Sequence, residues 1–185
     1  MESSTESRAL MRVRVFLDFD GVLNPEGRPP CDLLADWRAA TVNGVAISWS
    51  PTLAARLGRL ADHADVLWLT TWARNAQIHL TPLLGLPSFE LAGVDHFETP
   101  WRWWKLDVVT ELWNTDPRPF VWIDDDLTLF DEASDWVRGL GHERALAIAP
   151  DPSVGLTPDH LDTIDRFVAA HRNSPDAGPA ASVPG

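Results

Sequence analysis

Cysteine, lysine and tyrosine are almost missing from this 185-residue sequence, which has one of the first (Cys31), one of the second (Lys105) and none of the third. A single thiol excludes an internal disulfide and suits a reducing compartment. Between Pro29 and Pro30 and the residues that follow, Cys31 reads as a small residue in a loop, not as a reactive thiol. Positive charge is also scarce. Fifteen Lys and Arg stand against 27 Asp and Glu, a formal net charge of −12. Such a surface repels phosphate backbones, so broad nucleic-acid binding is disfavoured, although a local basic groove is not excluded. No run approaches the ~20 apolar residues of a membrane helix. The polar start of the chain has no apolar stretch followed by a cleavage pattern. The expectation is a soluble cytoplasmic protein with no membrane partner.

What is present fits one domain. With 45% hydrophobic residues, a chain of this length can bury a sizeable core unaided. Ten tryptophans serve mostly as bulky core filling. Trp72, Trp101, Trp103 and Trp104 stand near the candidate chemistry, where they suit a pocket wall or an interface. Residues 1–10 read as a flexible N-terminus, 11–172 as the folded domain, and the Pro-, Ala-, Gly- and Ser-rich 173–185 as a disordered tail.

Short apolar runs at 12–18, 64–70, 119–124 and 145–149, and a weaker one at 88–92, read as buried strands. Helical patterns lie between them. Ser50-Pro51 caps a helix whose face is Leu53, Leu57 and Leu60. A second helix covers 73–84, kinked near Pro82; a third covers 103–113 and a fourth 127–140. Thr157-Pro158 starts the last, with Leu161, Ile164, Phe167 and Val168 on its apolar face. Strands alternating with helices predict a three-layer, Rossmann-like α/β fold with a parallel sheet of about five strands. Right-handed crossovers align the strand C-termini along one edge, where ligands bind. Asp18, Thr70 and Asp124 fall there. Residues 36–49 break the alternation. Asn43-Gly44 between apolar stretches signals a tight turn, hence a small β-hairpin flap.

Four groups carry chemistry. In Asp18-Phe19-Asp20-Gly21-Val22-Leu23-Asn24, one carboxylate can attack a phosphorus centre while the other moves protons. A calcium loop is the competing reading. Asp124-Asp125-Asp126 crowds three acids at a strand end, a repulsion that a hard divalent cation relieves. Asp126 equally suits a helix N-cap, which leaves Asp124 and Asp125 as the metal candidates. Thr70 and Thr71 offer hydroxyls at a strand end. Lys105 stands at a helix start, where the dipole disfavours it. Either a phosphate or the Asp18 carboxylate wants its charge, or it is an ordinary solvated lysine. The histidines His63, His79, His96, His142, His160 and His171 show no metal-ligand spacing and read as structural or surface residues. Asp95 and His96 lie in a loop without an assigned role.

Taken in order, an aspartate pair after strand one, a threonine after strand two, a lysine at a helix start and paired acids after a later strand resemble the haloacid dehalogenase superfamily. The resemblance spans roughly residues 13–149. The strings Asp-Gly-Val-Leu-Asn, Leu-Thr-Thr-Trp and Trp-Ile-Asp-Asp-Asp are also similar to the small phosphatase-like domains of Swiss Army Knife RNA repair proteins. The superfamily resemblance implies a magnesium-dependent phosphohydrolase acting on phosphomonoesters through an aspartyl phosphate. It implies Asp18 as nucleophile, Asp20 as general acid/base, Thr70 on the phosphoryl oxygens and Lys105 balancing charge. Mg2+ would be held by Asp18, the Asp20 carbonyl, and Asp125 with Asp124. The sequence leaves no room for a large cap domain, only the 36–49 flap. The implied substrate is a phosphorylated molecule of unspecified identity. Nucleic-acid ends are possible and a phosphotransferase is an alternative, as is an inactive interaction module.

Overall fold

A computed structural model describes residues 12–27, 34–93 and 103–172. Residues 1–10 and 173–185, Cys31, Asp95, His96 and Trp101 lie outside the described residues. The central sheet has five strands: β1 (Val13–Leu17), β4 (Ala64–Trp68), β5 (Glu90–Leu91), β6 (Phe120–Ile123) and β7 (Ala145–Ile148). They run parallel in the order β5-β4-β1-β6-β7. All five residues of β1 are buried, as both covered faces of a parallel sheet require.

Alternate β1 side chains feed two cores. Val13, Val15 and Leu17 pack with α1 (Pro51–Leu60), α2 (Thr81–Leu84) and α5 (Pro158–Arg172). Phe16 packs with α3 (Trp104–Thr115) and α4 (Asp131–Leu140) on the other face. Because β4 lies on one side of β1 and β6 on the other, the chain reverses its winding at β1. The loops there part and leave a crevice at the strand C-termini.

The hairpin is β2 (Arg38–Val42) paired antiparallel with β3 (Val45–Trp49). Its turn has φ 51° at Asn43 and 82° at Gly44, as a two-residue turn matched to strand twist demands. Among the described residues it is the only structure inserted between β1 and α1, and no large cap is present. Ser50 caps α1, accepting from the Leu53 N–H at 3.3 Å while its hydroxyl donates to Asp36 at 2.6 Å.

Two helices differ from expectation. The kink expected near Pro82 becomes a π-helical turn, Ala76–Leu80, just before it, with the Thr81 N–H reaching back five residues to the Ala76 carbonyl. Pro82 has no N–H to continue the α-helical ladder, so the chain widens upstream. The helix expected over 127–140 begins with a separate 3-10 turn, Asp125–Thr128, and α4 starts only at Asp131. No helix of the described residues is long and apolar enough to cross a membrane.

Candidate active site

Asp18 is the first residue past β1, and its N–H still donates to Ile123 of β6 at 3.0 Å. The chain then folds sharply: the Phe19 carbonyl accepts from the N–H groups of Leu23 and Asn24 at 2.8 and 2.9 Å. Gly21 makes this possible with φ 66°. A Cβ there would also lie 2.3 Å from Cγ of Asp125. Backbone geometry and space for a neighbouring carboxylate therefore both require glycine.

Lys105 is the centre of the site. It lies in the first turn of α3, is 1% exposed, and its Nζ donates to Asp18 Oδ2 at 2.5 Å and Asp124 Oδ2 at 2.8 Å. The reading of it as a solvated surface lysine is therefore wrong. Burial pulls its pKa down, but the two carboxylates more than offset this and hold it above the ordinary lysine value. Trp103 covers it at 5.7 Å and is stacked between Trp122 (5.0 Å) and Phe130 (4.4 Å). Of the tryptophans whose place was open, Trp103 is thus a wall over the lysine, and Trp104 is partly buried against the second core.

One cation does not balance the acids. Oxygens of Asp18, Asp124 and Asp125 lie within 4.8 Å of one another. Burial, and then the Asp18 charge, push the Asp124 carboxyl up to about 8. Burial, then Asp126 and Asp18, push Asp125 up to about 6. Burial raises Asp18 too, against the pull of Lys105, the Phe19 N–H and the Thr70 hydroxyl. A crowded, buried, all-oxygen donor set of this kind fits a hard divalent cation such as Mg2+. Asp124 has a further duty, the capping role that the sequence suggests for Asp126. It caps the 3-10 turn by accepting from the Asp126 N–H at 3.2 Å, because the buried first acid of the triplet has extended backbone and the third does not.

Thr70 follows β4, is 3% exposed, and acts on the Asp18 carboxyl through its hydroxyl. Thr71 is exposed and faces a cleft with Trp72 and Asp20. The Asp20 carboxylate stands outside the three-acid cluster. Its Oδ1 accepts from Asn24 Nδ2 and its Oδ2 from Trp72 Nε1, both at 2.8 Å. The structure thus gathers Asp18, Thr70, Lys105, Asp124 and Asp125 around one point and sets Asp20 beside them. Nothing in the sequence alone assigns a role to Asn24. The partner of its other amide end, the Ser48 N–H at 2.8 Å, is 24 residues away and leaves no local signal.

A parallel α/β sheet with buried acids and one lysine at its switch point defines a protein of the haloacid dehalogenase superfamily. Residues 14–161 match the model of the family described as the HAD domain in Swiss Army Knife RNA repair proteins, and the chain belongs to that family. No curated protein matches it. Among solved structures, a variant of the fission yeast RNA polymerase II CTD phosphatase Fcp1 bound to beryllium fluoride matches at 16% identity and TM-score 0.42. That match covers 86% of this chain and 50% of the other, so the chain spans half the length of that protein.

Proposed function

We propose that the protein is a phosphohydrolase that cleaves phosphomonoesters through an aspartyl phosphate on Asp18, with Mg2+ as its cofactor. The observation that carries this is Lys105, buried and held by both Asp18 and Asp124 at 2.5 and 2.8 Å. A lysine desolvated to this degree between two acids is costly as a structural device. It is well suited to a site where negative charge accumulates.

The residues then divide the work. An Asp18 carboxylate oxygen attacks phosphorus as the bond to the leaving oxygen breaks, and Asp20 donates a proton to that oxygen. Asp20 next takes a proton from water. The resulting hydroxide attacks phosphorus, the phosphorus–Asp18 bond breaks, and inorganic phosphate and the Asp18 carboxylate are regenerated. Thr70 binds a phosphoryl oxygen, and Lys105 keeps Asp18 placed and offsets its charge. Asp18, Asp125 and the Asp20 carbonyl, with Asp124 beside them, would hold Mg2+. When bound it would screen the acids from one another and from the phosphoryl oxygens.

Because the family description names RNA repair proteins, polynucleotide phosphate ends are the alternative substrate class; the net charge of −12 counts against them. Turnover of p-nitrophenyl phosphate is the direct test, with Mg2+ or with a chelator, alongside Asp18→Asn. We expect metal-dependent turnover that the variant loses by at least about a hundredfold, since the nucleophile is gone. Equal rates in the variant and the wild type would overturn the reading. Comparing phosphorylated oligonucleotide ends with small esters at equal concentration separates the substrate classes.

A further inference from the structure

The Asp20 carboxylate is held from both sides by donors on different parts of the chain. Asn24 lies four residues on, in the turn after β1, and Trp72 lies in the loop after β4. Both hydrogen bonds are 2.8 Å. Neither donor is loose. The Ser48 backbone N–H can only donate, so its 2.8 Å bond to Asn24 marks the amide oxygen and turns the nitrogen toward Asp20. The Asp20 and Asn24 backbones also form a bridge. The Trp72 ring is wedged edge-on against Phe19, with centroids 5.6 Å apart at 81°. The clamp therefore reaches from the β3 backbone through Asn24 to Asp20, and from the β4 loop through Trp72.

Each clamped oxygen keeps a further lone pair. Asp20 and Trp72 border a cleft of about 310 Å3 whose other walls are Thr71, Asn75 and the hairpin residues Asn43 and Val45. A leaving group entering there meets the carboxylate.

We propose that Trp72 and Asn24 are positioning residues that aim the Asp20 carboxylate at the leaving oxygen, so that the hairpin backbone helps set the acid/base. This rests on the phosphohydrolase reading. A general acid matters most when the departing oxygen is a poor leaving group. An aryl oxide with a strongly withdrawing substituent departs with little help, and an alkoxide does not.

The test is the dependence of kcat/KM on leaving group across p-nitrophenyl, phenyl and alkyl phosphates, with Mg2+. Wild type is compared with Trp72→Phe, Asn24→Asp and, as the reference for a lost acid, Asp20→Asn. Trp72→Phe keeps an aromatic side chain beside Phe19 and removes the N–H donor together with the pyrrole half of the indole. Asn24→Asp keeps an acceptor for Ser48 and replaces the donor to Asp20 with a second carboxylate, which releases Asp20 and repels it. Thermal melts check that each variant folds. In each clamp variant we expect alkyl phosphates to lose about tenfold more than p-nitrophenyl phosphate, a misaimed-acid effect, in the same direction as Asp20→Asn. A loss equal across the series, or no loss, with Asp20→Asn still discriminating, would overturn the clamp and leave the phosphohydrolase reading intact. A wild type inactive on every ester would overturn that reading and the clamp with it.

Discussion

Two clusters in this molecule have the same composition, one cation between two carboxylates, and opposite surroundings. Lys105 lies between Asp18 and Asp124 at 2.5 and 2.8 Å, with side-chain exposures of 2%, 8% and 0%. Arg56 lies between Asp162 and Asp165 at 2.5 and 2.6 Å, with exposures of 25%, 59% and 48%. Contact distance barely separates them, so distance does not tell what either does. Water does. Around Arg56 it screens every charge, and the cluster is a modest tie between α1 and α5. Around Lys105 it is excluded, so each charge there acts at much greater strength and removing one leaves the others uncompensated.

The sharpest way to break the comparison is to remove each cation. Lys105→Met keeps the length of the buried stem and deletes the charge. It should cost about 3–5 kcal/mol of unfolding free energy, the range for orphaned buried charges, and abolish turnover. Denaturant melts in chelator measure it. If Lys105→Met were as stable as wild type, the lysine would not be balancing the buried acids.

The buried cluster should also answer to pH and metal. Its carboxyls are raised in the folded state, Asp125 to about 6 and Asp124 to about 8, burial being the first cause of each. A carboxyl with a raised folded pKa contributes most at pH below its unfolded value. That contribution is lost as pH rises through the folded one. Without metal, stability should therefore fall as pH rises through about 6 and again through about 8. Mg2+ competes with protons for the same oxygens. Its stabilisation should be larger at pH 8 than at pH 5, reaching about 2.7 kcal/mol at a hundred times Kd. Melting temperatures with Mg2+ and with chelator at the two pH values check this. Equal shifts would place the metal, if it binds, away from these acids.

The same contrast explains what could be read in advance. The strand runs, the Asn43-Gly44 turn, the Ser50 cap and the positions of Asp18, Thr70, Lys105 and Asp124 at element ends are local signals. Each depends on residues a few places apart and on the direction of a parallel sheet. What stayed hidden depends on contacts across the fold. Trp103 sits between Trp122 and Phe130, and Ser48 orients Asn24. Asp124, not Asp126, does the capping because β6 buries it and leaves its backbone extended. No short window of sequence contains both partners of the Trp103 and Ser48 contacts; the Asp124–Asp126 contact is local, and what stays hidden there is which acid of the triplet is buried with extended backbone. The burial of Lys105 belongs to the same group: its unfavourable place at a helix start hinted at a partner, but only the sheet order brings β1 and β6 to it. The Arg56 cluster carried no hint, since Arg56 is an ordinary surface position on an amphipathic helix whose partners lie more than a hundred residues on.

The smallest effect expected is therefore at Arg56. Arg56→Ala removes both ion pairs and the 3.2 Å hydrogen bond to the Pro158 carbonyl at the start of α5. Partly exposed pairs contribute roughly 0.2–1 kcal/mol each, and salt screens them. The variant should lose about 1 kcal/mol at low ionic strength and less at high, with turnover and its metal dependence intact, because α1 and α5 pack on the sheet face away from α3 and Lys105. Urea melts at two salt concentrations measure the loss. A cost as large as that of Lys105→Met, or one insensitive to salt, would mean that solvent does not distinguish the two clusters and that packing of the arginine stem decides the outcome at Arg56.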